Sequence, residues 1–182
     1  MRLQAILPRA PASFLPTGRR RCHPMCRASA AVCCHAAQAM LVSGFGAACL
    51  LNSDSPTLPT ALLIRAARVL LAPGERVVLG PADDGGYYLI GMKRPHAHLF
   101  ADIAWSTGEV AAMTRARAAA LGIELVALPN WYDVDDAATL ARLVAEASGG
   151  APCADLRPYA APATKECIRR IGLTGHLSIA AQ

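Results

Sequence analysis

Leu79-Gly80-Pro81-Ala82-Asp83-Asp84-Gly85-Gly86-Tyr87-Tyr88-Leu89-Ile90-Gly91 is the stretch on which the fold of this chain turns. It continues the apolar run Val77-Val78-Leu79, carries two adjacent acids into a glycine pair, and returns to large apolar residues at Tyr87. A short aliphatic run bounded by Gly and Pro fits a buried strand. Two adjacent carboxylates are costly to bury without partners, so the loop belongs at the surface, at the end of that strand. Gly85 and Gly86 have no Cβ, which lets the backbone there approach a ligand closely and take positive φ.

On both sides of this stretch, apolar runs alternate with helical patterns. Ala47-Ala48-Cys49-Leu50-Leu51 reads as a strand running into the loop Asn52-Ser53-Asp54. Pro59 opens a helix with Leu62, Leu63, Ala66, Ala67, Leu70 and Leu71 at helical spacing, and Pro73-Gly74 stops it. Tyr87 to Ile90 gives a third strand, and Thr107 to Leu121 a helix with Thr107 as N-cap and Gly122 as the stop. Ile123 to Leu128 is a fourth strand, and a helix runs from Asp136 to Ala147. Strands separated by helices predict an α/β domain: a mostly parallel sheet with helices on both faces. Such sheets collect polar chemistry in loops at the carboxyl ends of their strands. Each acidic loop here, at Asp54, at Asp83-Asp84 and at Asp133-Asp135-Asp136, directly follows an apolar run. Taken singly, each is a turn or a helix cap. Together on one rim, they make a site for a divalent cation and, through it, a phosphate.

Charge and cysteine usage bound the rest. The 182 residues are 54% hydrophobic and 17% charged, which excludes a disordered chain and suits one domain of ordinary size. The net charge of +5 belongs to the first third, where Arg2, Arg9, Arg19, Arg20, Arg21 and Arg27 stand without any acid before Asp54. The Arg19-Arg20-Arg21 triplet has no interleaved aromatics, so a solvated basic segment is expected and not a nucleic-acid surface. Its composition resembles a mitochondrial transit peptide, but Pro8, Pro11 and Pro16 break the amphipathic helix such a peptide needs. The uncharged run from Ala28 to Ser53 is long enough for a bilayer, yet His35, Gln38 and Gly44-Phe45-Gly46 favour a soluble helix followed by a buried strand. Cys22 and Cys26 have zinc-type spacing, but Cys33-Cys34-His35 is a poor second half, so thiols and not a zinc site are expected. Seven Cys cannot all pair, and a reducing, cytoplasmic setting is the expectation. The expected organisation is an atypical basic, Cys-rich, poorly ordered segment over 1–40, a domain over 41–150, and a C-terminal tail over 151–182 that can hold a helix.

The runs Asn52-Ser53-Asp54-Ser55-Pro56-Thr57-Leu58-Pro59 and Leu79 to Gly91, with Trp105-Ser106-Thr107 and Trp131-Tyr132-Asp133-Val134-Asp135, resemble a bacterial family of glycosyltransferase-A-like proteins. That family includes arsenosugar-biosynthesis-type glycosyltransferases and is related to molybdenum-cofactor guanylyltransferases and sugar-nucleotide transferases. The resemblance covers roughly residues 41 to 147. It implies a metal-dependent transferase acting on a nucleotide-activated sugar, with a nucleotidyltransferase or a non-catalytic remnant as the alternatives. It implies that Asp54, Asp133 and Asp135 hold Mg²⁺ or Mn²⁺, and that Ser53, Asp54, Ser55, Gly85 and Gly86 face the nucleotide-sugar or nucleotide. Asp83 and Asp84 would face the second substrate, with Asp84, fixed beside Gly85, nearer the reacting centre. Relatives open with a strand and a K-x-P-x-x-G-x-x-K-T-R-L loop that cradles the nucleotide. Residues 1–40 hold no match to it, so the domain is expected to be N-terminally incomplete.

Overall fold

The computed structural model describes residues 34–101, 103–105, 107–148 and 156–173. In chain order these form helix α1 (34–42), strand β1 (Ala48–Leu51), α2 (Thr60–Leu71), β2 (Val77–Pro81), β3 (Tyr87–Met92), a 3₁₀ turn (Ala97–Phe100), α3 (Val110–Ala120), β4 (Leu125–Ala127), α4 (Ala137–Ala147) and α5 (Pro162–Arg170). The Arg triplet, Cys22, Cys26 and most of the 1–40 segment, on which the expectation about the nucleotide loop falls, lie outside the described residues, as do 149–155 and 174–182.

The expectation of a mostly parallel sheet is corrected here. The four strands stand in the order β1-β3-β2-β4, and the sheet is mixed: β3 runs antiparallel to both neighbours, and only β2 and β4 pair in parallel. The reason lies in the 82–86 segment. A parallel connection needs a dozen or more residues to cross over, whereas five residues can only close a hairpin. The register shifts between Gly80 and Pro81, because Gly80 faces Leu89 while Pro81 faces Tyr87. Tyr88 is the extra residue of this bulge. Tyr88 and Leu89 therefore both turn to the same layer, and the Tyr88 hydroxyl donates to the Pro129 carbonyl at 2.8 Å.

Helices cover both faces. On one side Leu62, Ala66 and Leu70 of α2 pack with Val78, Tyr88, Leu143 of α4 and Ile168 of α5. On the other, Ala37 of α1, Phe100 and Ala111 and Ala118 of α3 pack with Val77, Leu79, Ile90 and Met92. The alternation of Val77, Val78 and Leu79 between layers is the period-2 pattern of a strand buried on both faces. The uncharged run near residues 34–51 is a helix followed by a strand, and Ala37 is fully buried. Thr107, expected as the N-cap of α3, donates instead to the Ala104 carbonyl at 2.6 Å, and Glu109 occupies the cap position without a side-chain bond. None of the helices among the described residues is long and apolar enough to cross a membrane.

Candidate functional site

Strand directions decide where the acids meet. β1 and β2 are both antiparallel to β3, and β4 is parallel to β2, so β1, β2 and β4 all end at the same rim. The loops that follow them, 52–59, 82–86 and 128–136, carry Asp54, Asp83-Asp84 and Asp133-Asp135. Backbone bonds lace these loops together. The Asp83 N–H donates to the Trp131 carbonyl at 3.0 Å, and the Val134 N–H donates to the Asp54 carbonyl at 2.9 Å.

Within this rim, Asp84, Asp133 and Asp135 each offer an oxygen lying within 4.8 Å of the other two. Asp84 is held by its own turn, its Oδ1 accepting the Gly86 N–H at 2.7 Å. Gly85 has φ +89°, and a Cβ there would sit 1.9 Å from the Gly108 carbonyl oxygen. The Gly85 carbonyl in turn accepts the Ala111 N–H at 2.9 Å, so the start of α3 rests directly on the acid-bearing turn. No other residue fits at Gly85 without moving α3.

The electrostatics record the crowding. Burial first, then the charges of Asp84, Asp135 and Asp54, pushes the Asp133 carboxyl up to about 6. Asp135 is raised by the same two causes, with Asp54 the leading neighbour. Asp54 thus stands close enough to be felt by both, though outside the group of three. Ser53 and Asp54 are exposed and Ser55 is half-buried, its Oγ accepting the Asn52 Nδ2 at 3.0 Å. Asp136 behaves differently: its carboxylate accepts the Thr139 N–H at 2.7 Å, the capping box of α4, and hydrogen bonding lowers its pKa. Asp83 points elsewhere too, pairing with Arg142 at 3.4 Å.

Arg142 is the residue that sequence reasoning missed. Its guanidinium carbon lies 3.8 Å from the centre of the Tyr132 ring, its Nε reaches Glu146 at 3.3 Å, and its other arm reaches Asp83. Tyr132, fully buried, donates its hydroxyl to Glu146 at 2.7 Å and accepts from buried Thr57 at 2.9 Å. Burial pushes the Tyr132 phenol up to about 12, so it remains a donor at neutral pH. Nothing local marks Arg142 in the sequence, where it is one arginine in an amphipathic helix.

The donor set fits a hard divalent cation. Three carboxylates supply oxygen only, and oxygens within 4.8 Å of one another match ligands sharing an ion at roughly 2.1–2.5 Å. The carboxyl-end rim is where open α/β sheets bind ligands.

Residues 25–107 match the model of a family described as "Uncharacterized protein conserved in bacteria (DUF2064)". No curated protein matches the chain. The fold is shared with a crystal structure from Desulfovibrio desulfuricans G20 of a candidate nucleotide-diphospho-sugar transferase, at a TM-score of 0.60 and 27% identity. That similarity covers 78% of this chain and 61% of the neighbour, so the chain spans less than two thirds of the neighbour's length, and its architecture is similar to a glycosyltransferase-A-type domain.

Proposed function

We propose that this chain is a metal-dependent transferase of the glycosyltransferase-A type acting on a nucleotide-activated sugar. One observation carries the reading: three carboxylates from two separate loops converge within 4.8 Å on the carboxyl rim of the sheet. Burial first, and then the neighbouring charges of Asp84, Asp135 and Asp54, raises the Asp133 pKa. Such a cluster is expected where a cation is to be held. The likeness to a candidate nucleotide-diphospho-sugar transferase supports the substrate class.

In this reading Asp84, Asp133 and Asp135 hold Mg²⁺ or Mn²⁺, and Asp54 adds negative charge from the neighbouring loop. When bound, the cation offsets diphosphate charge and polarises the bond to the leaving group. Ser53, Ser55 and the Gly85-Gly86 backbone face the nucleotide. Asp84, not Asp83, stands nearest the reacting centre, because Asp83 is engaged by Arg142. The alternative within the same fold is a nucleotidyltransferase, which moves a nucleotidyl group in place of a sugar.

Thermal stability measured with Mn²⁺ and a panel of UDP, GDP, CTP and GTP tests the proposal. The expected result is stabilisation by a nucleoside diphosphate only when Mn²⁺ is present, abolished in Asp84→Asn. Stabilisation by triphosphates alone favours nucleotidyl transfer. No stabilisation by any nucleotide sinks the enzymatic reading.

A further inference from the structure

Three contacts on the Arg142 network fall beside the three acid-bearing loops. Thr57 is three residues from Asp54, Asp83 adjoins Asp84, and Tyr132 adjoins Asp133. All three are tied to one helix: Thr57 donates to Tyr132, Tyr132 donates to Glu146, and Arg142 bridges Glu146 and Asp83 while its guanidinium lies on the Tyr132 ring. Thr57 is 4% exposed and Tyr132 1%, so the inner part of the network is rigidly enclosed, while the Arg142–Asp83 end reaches the surface.

We propose that Arg142 is a positioning residue, a clamp that holds the 82–86 turn against the 128–136 loop so that the Asp84 carboxylate meets those of Asp133 and Asp135. This rests on the cation-holding reading above. The physics favours one residue for the task. Three like charges drive their loops apart, and the backbone bonds from the Asp83 N–H to the Trp131 carbonyl and from the Trp131 N–H to the Pro81 carbonyl oppose this at the hairpin end, with Arg142 adding a side-chain tie beside them. A planar guanidinium both stacks on an aromatic ring and pairs with carboxylates on two sides, which a lysine cannot do. Hydrogen-bonded networks of this kind are strengthened by the low dielectric around their buried members. Arg142 itself stays outside the acid group: its partners are Asp83 and Glu146, and neither belongs to the group of three.

The test is amide hydrogen exchange, with Mn²⁺ affinity measured in parallel, on the full chain and on Arg142→Met, Arg142→Lys and Asp83→Asn. Arg142→Met should speed exchange at the Asp83 amide at least tenfold while the amides of the β2–β3 ladder stay within twofold. It should also weaken Mn²⁺ binding on the order of tenfold. Arg142→Lys should recover only part of either effect, and Asp83→Asn should speed the same amide. Unchanged exchange at Asp83 overturns the proposal, as does an equal acceleration through the whole ladder, which would mark general support for the fold. Faster exchange with undiminished Mn²⁺ affinity overturns it as well. If the parent takes up no Mn²⁺, the cation reading fails by itself, and the exchange rates still decide whether Arg142 clamps the turn.

Discussion

Asp133 shows at the scale of one residue why a site can weaken its own fold. Its carboxyl titrates near 6, against an ordinary value of 3.8, because it is partly desolvated and faces the charges of Asp84, Asp135 and Asp54. The folded chain therefore binds this proton more tightly than the unfolded chain does. The stability tied to this group is fully present below about pH 3.8 and is lost as pH rises through about 6. Asp136 has the opposite sign, since its lowered pKa favours the charged form, and its effect falls below the ordinary carboxylate value. Comparing the metal-free parent with Asp133→Asn isolates the first group. The parent should gain stability from pH 7 to pH 5 and the variant should gain less, with Asp133→Asn the more stable of the two at pH 7 in urea unfolding. A cation needs the deprotonated carboxylate, so Mn²⁺ affinity should fall over the same interval. A variant that follows the parent's pH profile would show that Asp133 is not the strained group.

Among the elements, the 82–86 turn couples the site to α3. Gly85→Ala places a methyl 1.9 Å from the Gly108 carbonyl oxygen, at a φ of +89° that alanine rarely adopts. A loss of roughly 2–4 kcal/mol is expected in chemical denaturation, with weakened Mn²⁺ binding because Asp84 moves with the turn. A loss under about 0.5 kcal/mol would mean that α3 does not rest on the turn as described. The elements themselves were largely legible in the sequence. Leu62, Ala66 and Leu70 recur at helical spacing, Pro73-Gly74 ends α2, and Gly122, at φ +66°, ends α3. The antiparallel β3 is legible in the length of the 82–86 segment, which is too short for a crossover, but the alternation of strands and helices along the rest of the chain points to a parallel sheet and masks it. Arg142 was hidden for a different reason. Its contact with Asp83 joins residues 59 apart, and Thr57 meets Tyr132 across 75, so no local spacing reveals either pair. The acids of this rim stand out in the sequence because each of their loops follows an apolar run. Their division into a cap at Asp136, a clamp partner at Asp83 and a group of three required the fold.

Across the whole molecule, the mixed sheet keeps what a parallel one would have provided. The hairpin reverses β3 and leaves β1, β2 and β4 ending at one rim, so three acidic loops far apart in sequence share a surface. Folding must close these loops against their own charge repulsion, and the two apolar layers with the Arg142 network oppose it. A cation that binds only the folded chain adds to its stability through its own affinity. The central claim is thus that this rim holds a divalent cation between Asp84, Asp133 and Asp135. Titration with Mn²⁺, following the free-ion signal by electron paramagnetic resonance, tests it in the parent and in Asp135→Asn, whose side chain is exposed and least needed by the fold. Saturable uptake of a single Mn²⁺ by the parent, weakened at least tenfold in Asp135→Asn, is the predicted result; no uptake, or equal affinity in the two proteins, would contradict it.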